Sequence, residues 1–286
     1  MRIFLALSPA KQLVGLMRKQ DVKNVLVSFA FLKSLDSFKK LFCDDWYPKN
    51  LIIDSGAFSV WARGEKIDID AYGDYCHSLK KFLPSEIDLK FVNLDVLPGK
   101  FGRMPTKEER LHSVEQGWKN MEYLEAKELS VIPVFHQHED DAWLQRMMNH
   151  TDYFGISPAN DESMKNKLRF LNDCFAITRD KYKTHGFAVT AYEQLINYPF
   201  FSVDSSSWCA GGRFGRIPIM VNSHLKNYMF KDRKELDKYW DYIDGIENKE
   251  LIMTDYLARN SVGIKSYIKF EKFVTELWSQ RGIKWE

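Results

Sequence analysis

The chain has 286 residues, with 41 Lys and Arg against 39 Asp and Glu, so its formal net charge is +2. Hydrophobic residues make up 45% and aromatic residues 14%, enough apolar material for a sizeable core, which excludes wholesale disorder. No stretch approaches the ~18 consecutive apolar residues of a membrane span, and the near balance of charge means that a nucleic acid would have to be held by a local basic patch.

The first apolar run, residues 3–7, is too short before Lys11 for a signal peptide and reads as a strand. Similar β-branched or aromatic runs follow at 25–29, 51–54, 89–94, 131–135, 153–156, 184–188 and 201–204. Between them apolar residues recur at spacings of three and four. Tyr72, Tyr75, Leu79 and Phe82 form one such stripe; Leu111, Val114, Trp118, Met121 and Leu124 form another. Each predicts a helix with one buried face. Asp70 and Thr106 are placed to cap these two helices, the second with Glu109 completing a capping box.

Eight strands, each followed by a connection long enough for a parallel crossover, predict an α/β fold of the (β/α)8 TIM-barrel type over residues 1–216. A doubly wound sheet would carry a glycine-rich turn after its first strand, and here that turn is Ser8-Pro9-Ala10. Residues 217–286 are expected to be a helical extension packed on the barrel through Leu251, Tyr256, Ile264, Ile268, Phe273 and Leu277. Cys43, Cys76, Cys174 and Cys209 stand more than 30 residues apart with no CxxC pair. Such scatter points to packed thiols in a reducing compartment, expected to be the cytoplasm.

Barrel enzymes carry their reactive groups at the C-terminal ends of the strands. The third strand ends in Asp54-Ser55-Gly56-Ala57-Phe58, the fourth in Asn93-Leu94-Asp95 and the fifth in His136-Gln137-His138. The sixth ends in Gly155-Ile156-Ser157-Pro158, the seventh carries His185-Gly186, and the eighth ends in Ser202-Val203-Asp204-Ser205. Any one Asp closing a strand can be no more than the N-cap of the next helix, and a lone His in a barrel can be purely structural. Polar ends on six successive strands predict a site at one mouth.

The segments at the third and eighth strands resemble the two Asp motifs of the tRNA-guanine transglycosylase family, in the same order and with similar spacing. The likeness spans about residues 51–208 and includes Asp95, at a position where that family holds an Asp. The resemblance implies a barrel that removes guanine from a polynucleotide and inserts a free 7-deazaguanine base such as preQ0 or preQ1 without breaking the backbone. A DNA-modifying branch, found in bacteria and their phages, does the same to deoxyguanosine. Carried over by position, Asp204 resembles the nucleophile and Asp54 the acid/base group. Asp95 resembles the residue that reads the purine edge, and Phe58 the aromatic that stacks on the base.

The chain also departs from that pattern. The family's Gln after the fifth strand falls at His136 or Gln137, and either could contact the base. Its Gly-Gly falls at Ser157-Pro158, where proline has no N–H to give, so backbone donors are expected near Gly155 to Ser157. An apolar residue on the seventh strand becomes His185. The family's CxCxxC zinc signature is missing, so no zinc or other cofactor is expected. The absence of that zinc-bearing insertion, and of an added RNA-binding domain, favours DNA as the partner, with tRNA as the alternative.

Such chemistry needs an ionised carboxylate to attack C1′ opposite the base, donors for charge on the departing purine, and a second carboxyl to move its proton. The target base must also be flipped out or already unpaired. Candidate phosphate contacts are Lys100, Arg103 and Lys107 after the fourth strand. Arg213 and Arg216 after the eighth, beside Gly211-Gly212, are the others, because glycines permit close backbone approach. Two rival readings use the same residues. A metal-dependent hydrolase would use His136, His138, His185 and Asp204 as ligands, and a non-catalytic nucleic-acid-binding subunit would use the barrel alone.

Overall fold

The computed structural model describes residues 1–42, 46–100, 102–243 and 249–285. In chain order its first part runs β1 (Arg2–Leu7), α1 (Lys11–Lys19), β2 (Asn24–Ser28), α2 (Leu35–Leu41), β3 (Asn50–Asp54), α3 (Ala57–Trp61), α4 (Ile69–Phe82), β4 (Asp88–Val92) and α5 (Lys107–Ala126). It continues β5 (Val131–Ile132), β6 (Val134–His136), α6 (Asp141–His150), β7 (Tyr153–Ser157), α7 (Met164–Thr178), β8 (Lys183–Gly186), α8 (Tyr192–Asn197) and β9 (Ser202–Ser205). The strands pair in the order β5-β4-β3-β2-β1-β9-β8-β7-β6, all parallel.

Nine strand segments replace the eight expected because Pro133 divides the fifth. Proline has no N–H for a ladder, so the strand changes partner there. The carbonyl of Ile132 accepts from the Asn93 N–H on the β4 side (3.0 Å), and the carbonyl of Pro133 accepts from the Gly155 N–H on the β7 side (2.7 Å). β5 and β6 together bridge β4 to β7 and bring the sheet round into the (β/α)8 barrel.

Alternation divides the strand residues between two cores. Phe4, Leu26, Ile52, Val92, Ile132 and Val134 fill the barrel interior. The other strand faces, with Leu5, Val25, Val27, Ile53 and Phe91, pack against the outer helices. Fully burying one such aliphatic side chain contributes about 1.5–3 kcal/mol. Tyr72 of α4 is completely buried, and its hydroxyl bridges the carbonyls of Val92 (2.6 Å) and Ile53 (3.2 Å), fixing the upper ends of β3 and β4 against the helix. Thr106 and Glu109 form the expected capping box at α5. At α4 the cap is Asp68, not Asp70: Asp68 has extended backbone and accepts from the Ala71 N–H at 2.9 Å. Asp70 sits in the first turn, where a carboxylate is favoured by the helix dipole, and takes the Tyr123 hydroxyl.

After β9 come a 3-10 turn (Ser207–Cys209), α9 (Ala210–Phe214), β10 (Arg216–Val221), β11 (His224–Met229), α10 (Arg233–Lys238), a second 3-10 turn (Trp240–Ile243), α11 (Lys249–Thr254) and α12 (Tyr256–Gln280). The wholly helical segment expected beyond residue 216 therefore opens with an antiparallel hairpin. Ile217, Ile219 and Val221 alternate inward, and Asn222 and Ser223 take positive φ (44° and 66°) at the turn. Ser in place of the usual Gly hides that turn from the sequence. The hairpin builds a small second core with Leu236, Ile243, Ile252 and Val262.

α12 then returns to the barrel. Ile264, Tyr267, Phe270, Val274 and Trp278 join the main core, in contact with α1, α8 and β1. The helix occupies the place of an eighth outer helix. Its Glu271 accepts from the Ile3 N–H (2.6 Å) and the Asn24 amide (2.8 Å). Gly263 lets it approach the Trp208 backbone so closely that a Cβ would lie 1.9 Å from the Trp208 carbonyl oxygen. Among the described residues no helix is long and apolar enough to cross a membrane.

Candidate active site

The period-two rule that fills the barrel also aims its upper end. Asp54 lies two residues beyond Ile52 and His136 two beyond Val134, while Asp204 stands opposite Phe4 in the β1–β9 register. All three are therefore carried by inward-facing positions at the C-terminal mouth.

Asp54 ends β3. Gly56 follows in the left-handed region (φ 78°), where a Cβ would sit 2.4 Å from that of Ala30. Burial pushes the Asp54 carboxyl up to about 6; the Gly56 N–H pulls against that shift, and the nearby charges of Asp204 and Asp95 add to it. A carboxyl with this affinity can hold a proton near neutrality and release it.

Asp95 is fixed from two sides. It accepts from the Asn93 amide (3.2 Å), and its other oxygen lies 3.0 Å from His136 Nε2. Glu139 accepts from the His136 backbone N–H at 3.0 Å. Burial works against a charged His136 ring, yet Asp95, with help from Glu139, raises its pKa to about 9. Burial in turn raises Glu139 to about 7 against the pull of His136. A small cavity beside this group is lined by Asn93, Asp95, Ser113, Gly117, His136 and Glu139.

Asp204 is the third residue of β9, with its side chain mostly covered. Its Oδ1 accepts from the Ala188 N–H at 3.1 Å and faces His185 Nε2 at 3.6 Å. Ala188 holds φ of 54°, a strained value for a residue with a Cβ, and so aims its N–H at the carboxylate. His185 is completely buried, 4.5 Å from the ring of Phe187 and 5.8 Å from that of Phe4 between centroids. It lies beneath Asp204 and presents no ring face to the mouth, contrary to its expected contact with substrate.

The remaining expected residues divide. Phe58, at the start of α3, is 46% exposed and 6.0 Å from Trp61 between ring centroids, so it presents surface at the rim. Of the two candidates after the fifth strand, His136 meets Asp95, whereas Gln137 turns away: its Oε1 accepts from the Ala159 N–H and its Nε2 reaches the Asn166 carbonyl. The Gly155 N–H, expected to face substrate, is bound to Pro133 in the barrel wall, and Phe187 covers the glycine so tightly that a Cβ would lie 2.4 Å from the ring. The Ser157 carbonyl accepts from the Gln137 N–H, and its side chain shares the His136 register at the mouth.

Among the basic residues, Lys100, Lys107, Arg213 and Arg216 are exposed, and Arg103 is paired with Glu109. Gly211 and Gly212 serve the packing of α9 on α12, with Arg259 and Asn260 at their α-carbons, instead of an approach to phosphate. The four side chains of the hydrolase reading do not converge. His136 is on Asp95, His138 is 3.2 Å from Glu162, and His185 lies under Asp204. Among the described residues no group of three or more His, Cys, Asp or Glu is arranged to hold a metal ion. Cys76, Cys174 and Cys209 are buried thiols, and Cys43 lies outside the described residues.

Sequence reasoning missed Glu139, Ser202, Tyr153 and Ala188. Ser202 was open to detection, since it stands two residues before Asp204 on the same face. Ala188 was not, because nothing in an alanine signals positive φ.

No protein-family model and no curated protein matches the chain. Among solved structures, one described as "Native KDPGal structure" is similar at 10% identity, with 95% of each chain covered and a TM-score of 0.36. A likeness of that degree carries no statement about chemistry. The fold places this chain among α/β barrels, the architecture in which enzymes carry their active sites at the C-terminal mouth.

Proposed function

We propose that the chain is a base-exchange transglycosylase that replaces guanine in a polynucleotide, DNA in preference to tRNA, with a 7-deazaguanine such as preQ0. The observation that carries this reading is the pairing of two unlike carboxyls at one mouth. Asp54 is pushed by burial toward a proton-holding state, and Asp204 is met at one oxygen by the Ala188 N–H. Pairs of titratable groups held in different environments divide acid and base roles between them.

In this mechanism the Asp204 carboxylate attacks C1′ from the face opposite the base. The C1′–N9 pair leaves with guanine as the glycosyl ester forms, and Asp54 supplies the proton. The incoming base loses a proton to Asp54 and displaces Asp204, so two inversions at one carbon retain the β-configuration. Asp95, fixed by its contact with His136, offers carboxylate acceptors to the N–H groups of the purine edge, and Phe58 offers a stacking face. Stacking of one base on an aromatic contributes roughly 1–3 kcal/mol toward unstacking it from a helix.

The test is incubation of the protein with DNA and with tRNA under identical conditions, with labelled guanine and labelled preQ0, followed by nucleoside mass spectrometry. Incorporation into DNA with an adduct trapped on Asp204 is the expected result. Incorporation into tRNA alone would overturn the choice of polymer. Binding without label or adduct would leave a nucleic-acid-binding barrel.

A further inference from the structure

A line of polar groups runs through the otherwise apolar barrel interior and ends at Asp204. Tyr153 Oη lies 2.7 Å from Ser202 Oγ, and Ser202 Oγ lies 2.8 Å from His185 Nδ1. Ser202 and His185 are completely buried. The last polar atom, His185 Nε2, is buried with no hydrogen-bond partner, and Asp204 Oδ1 stands in front of it at 3.6 Å. Leaving a buried polar atom unpaired forfeits its hydration without a replacement bond, so its position calls for a reason.

Either oxygen of the Tyr153–Ser202 pair can be the donor, and the direction that brings an N–H to face Asp204 Oδ1 runs from Tyr153 inward. Burial holds the Tyr153 phenol far above its ordinary range, so the phenol keeps its proton and can donate to Ser202 Oγ. Ser202, having accepted there, gives its own proton to Nδ1. A neutral His185 then carries its proton on Nε2 and aims an N–H at the carboxylate. The opposite tautomer would set a ring lone pair against a carboxylate oxygen in the dry interior. We propose that Tyr153, Ser202 and His185 form a one-directional hydrogen-bond chain that makes His185 a positioning residue for Asp204, engaging Oδ1 and leaving Oδ2 as the reacting atom.

This inference rests on the base-exchange reading for its consequence in catalysis, though not for the chain of protons itself. Oδ1 is already met by the Ala188 N–H, so both donors converge on the same oxygen. As Oδ2 forms its bond to C1′ and the C1′–N9 pair departs with the base, His185 keeps its proton throughout. It orients the nucleophile and takes no part as a base. The 3.6 Å separation is of the kind that tightens when substrate closes a site.

The test has two arms. In the first, the full chain labelled with 15N-histidine is read by NMR. His185 is expected as the Nε2–H tautomer, with its Nδ1 shift moved by Ser202→Ala and its Nε2 shift moved by Asp204→Asn. An Nδ1–H tautomer, or an Nε2 shift indifferent to Asp204→Asn, would overturn the chain whatever the protein's activity. In the second, His185→Gln keeps a donor where Nε2 stands and should hold exchange within about tenfold of wild type. His185→Phe should lower kcat by about a hundredfold with KM little changed. Wild-type turnover in His185→Phe would overturn the positioning role. If the unaltered protein exchanges no base in either polymer, the base-exchange reading fails and the first arm still decides the chain. Ser202→Ala serves in both arms should the Phe variant not fold.

Discussion

His136 Nε2 stands 3.0 Å from Asp95 Oδ2, joining the residue that closes β6 to the loop that follows β4. Because burial alone would lower the imidazole pKa, Asp95 accounts for its rise to about 9. Asp95→Asn should therefore drop His136 to or below its ordinary value near 6.5. A ring titration followed by NMR would show this, and a His136 that stayed protonated at pH 8 in the variant would contradict it. The sign for stability follows. The pair's contribution is fully present below about 6.5 and is lost as pH rises through about 9, so Asp95→Asn should flatten the stability profile over that window.

Asp54 is linked to pH in a different sense. Its carboxyl is raised from 3.8 to about 6, so the folded state holds a proton there that the unfolded state has released. Its contribution is present below pH 3.8 and lost as pH rises through about 6. Asp54→Asn should accordingly raise Tm by several degrees at pH 8 and change it little at pH 4, while slowing base exchange by about a hundredfold or more. Equal Tm shifts at both pH values would show that the buried charge is not the cause.

Asp204→Asn should keep the fold and the binding of polynucleotide, because the amide oxygen can still accept from the Ala188 N–H. Exchange should fall by at least about a thousandfold, since an amide does not form the glycosyl ester. Label incorporation with filter binding on the same preparation separates the two effects. Undiminished exchange would remove Asp204 from the mechanism.

Gly263→Ala tests the anchoring of α12. The added Cβ would meet the Trp208 carbonyl oxygen at 1.9 Å, and a backbone atom in a 3-10 turn has little room to yield. A loss of about 3 kcal/mol is expected, read from urea unfolding. A variant as stable as wild type would mean that α12 can shift along the barrel.

Asp54 and Asp204 were legible because a barrel gives strand ends a fixed meaning, and the β-branched runs before them were unambiguous. His185 was legible as a polar strand residue but not as a buried one. Its depth depends on the neighbouring Phe187 and on Phe4, 181 residues away in the chain, closing over it. Gln137 looked as good a contact as His136 because one residue of register decides which of two neighbours faces inward. The β10–β11 hairpin was hidden by its Asn-Ser turn and by the exposed His224, Lys226 and Asn227 of β11, which break the alternation of a half-buried strand. Asp68 and Asp70 differ as caps only through backbone angles, which composition does not encode.

Pro133 gives the barrel wall a seam. Residues 131–132 are laced to β4 and residues 134–136 to β7, so neither ladder runs across the proline. The cavity beside Asp95 and His136 is lined by Pro133 itself. In amide hydrogen exchange the stretch 131–136 should trade its protons faster than β1, β2 and β3, whose ladders are unbroken on both sides. A ligand that fills the cavity should slow that exchange before it changes any rate at the mouth.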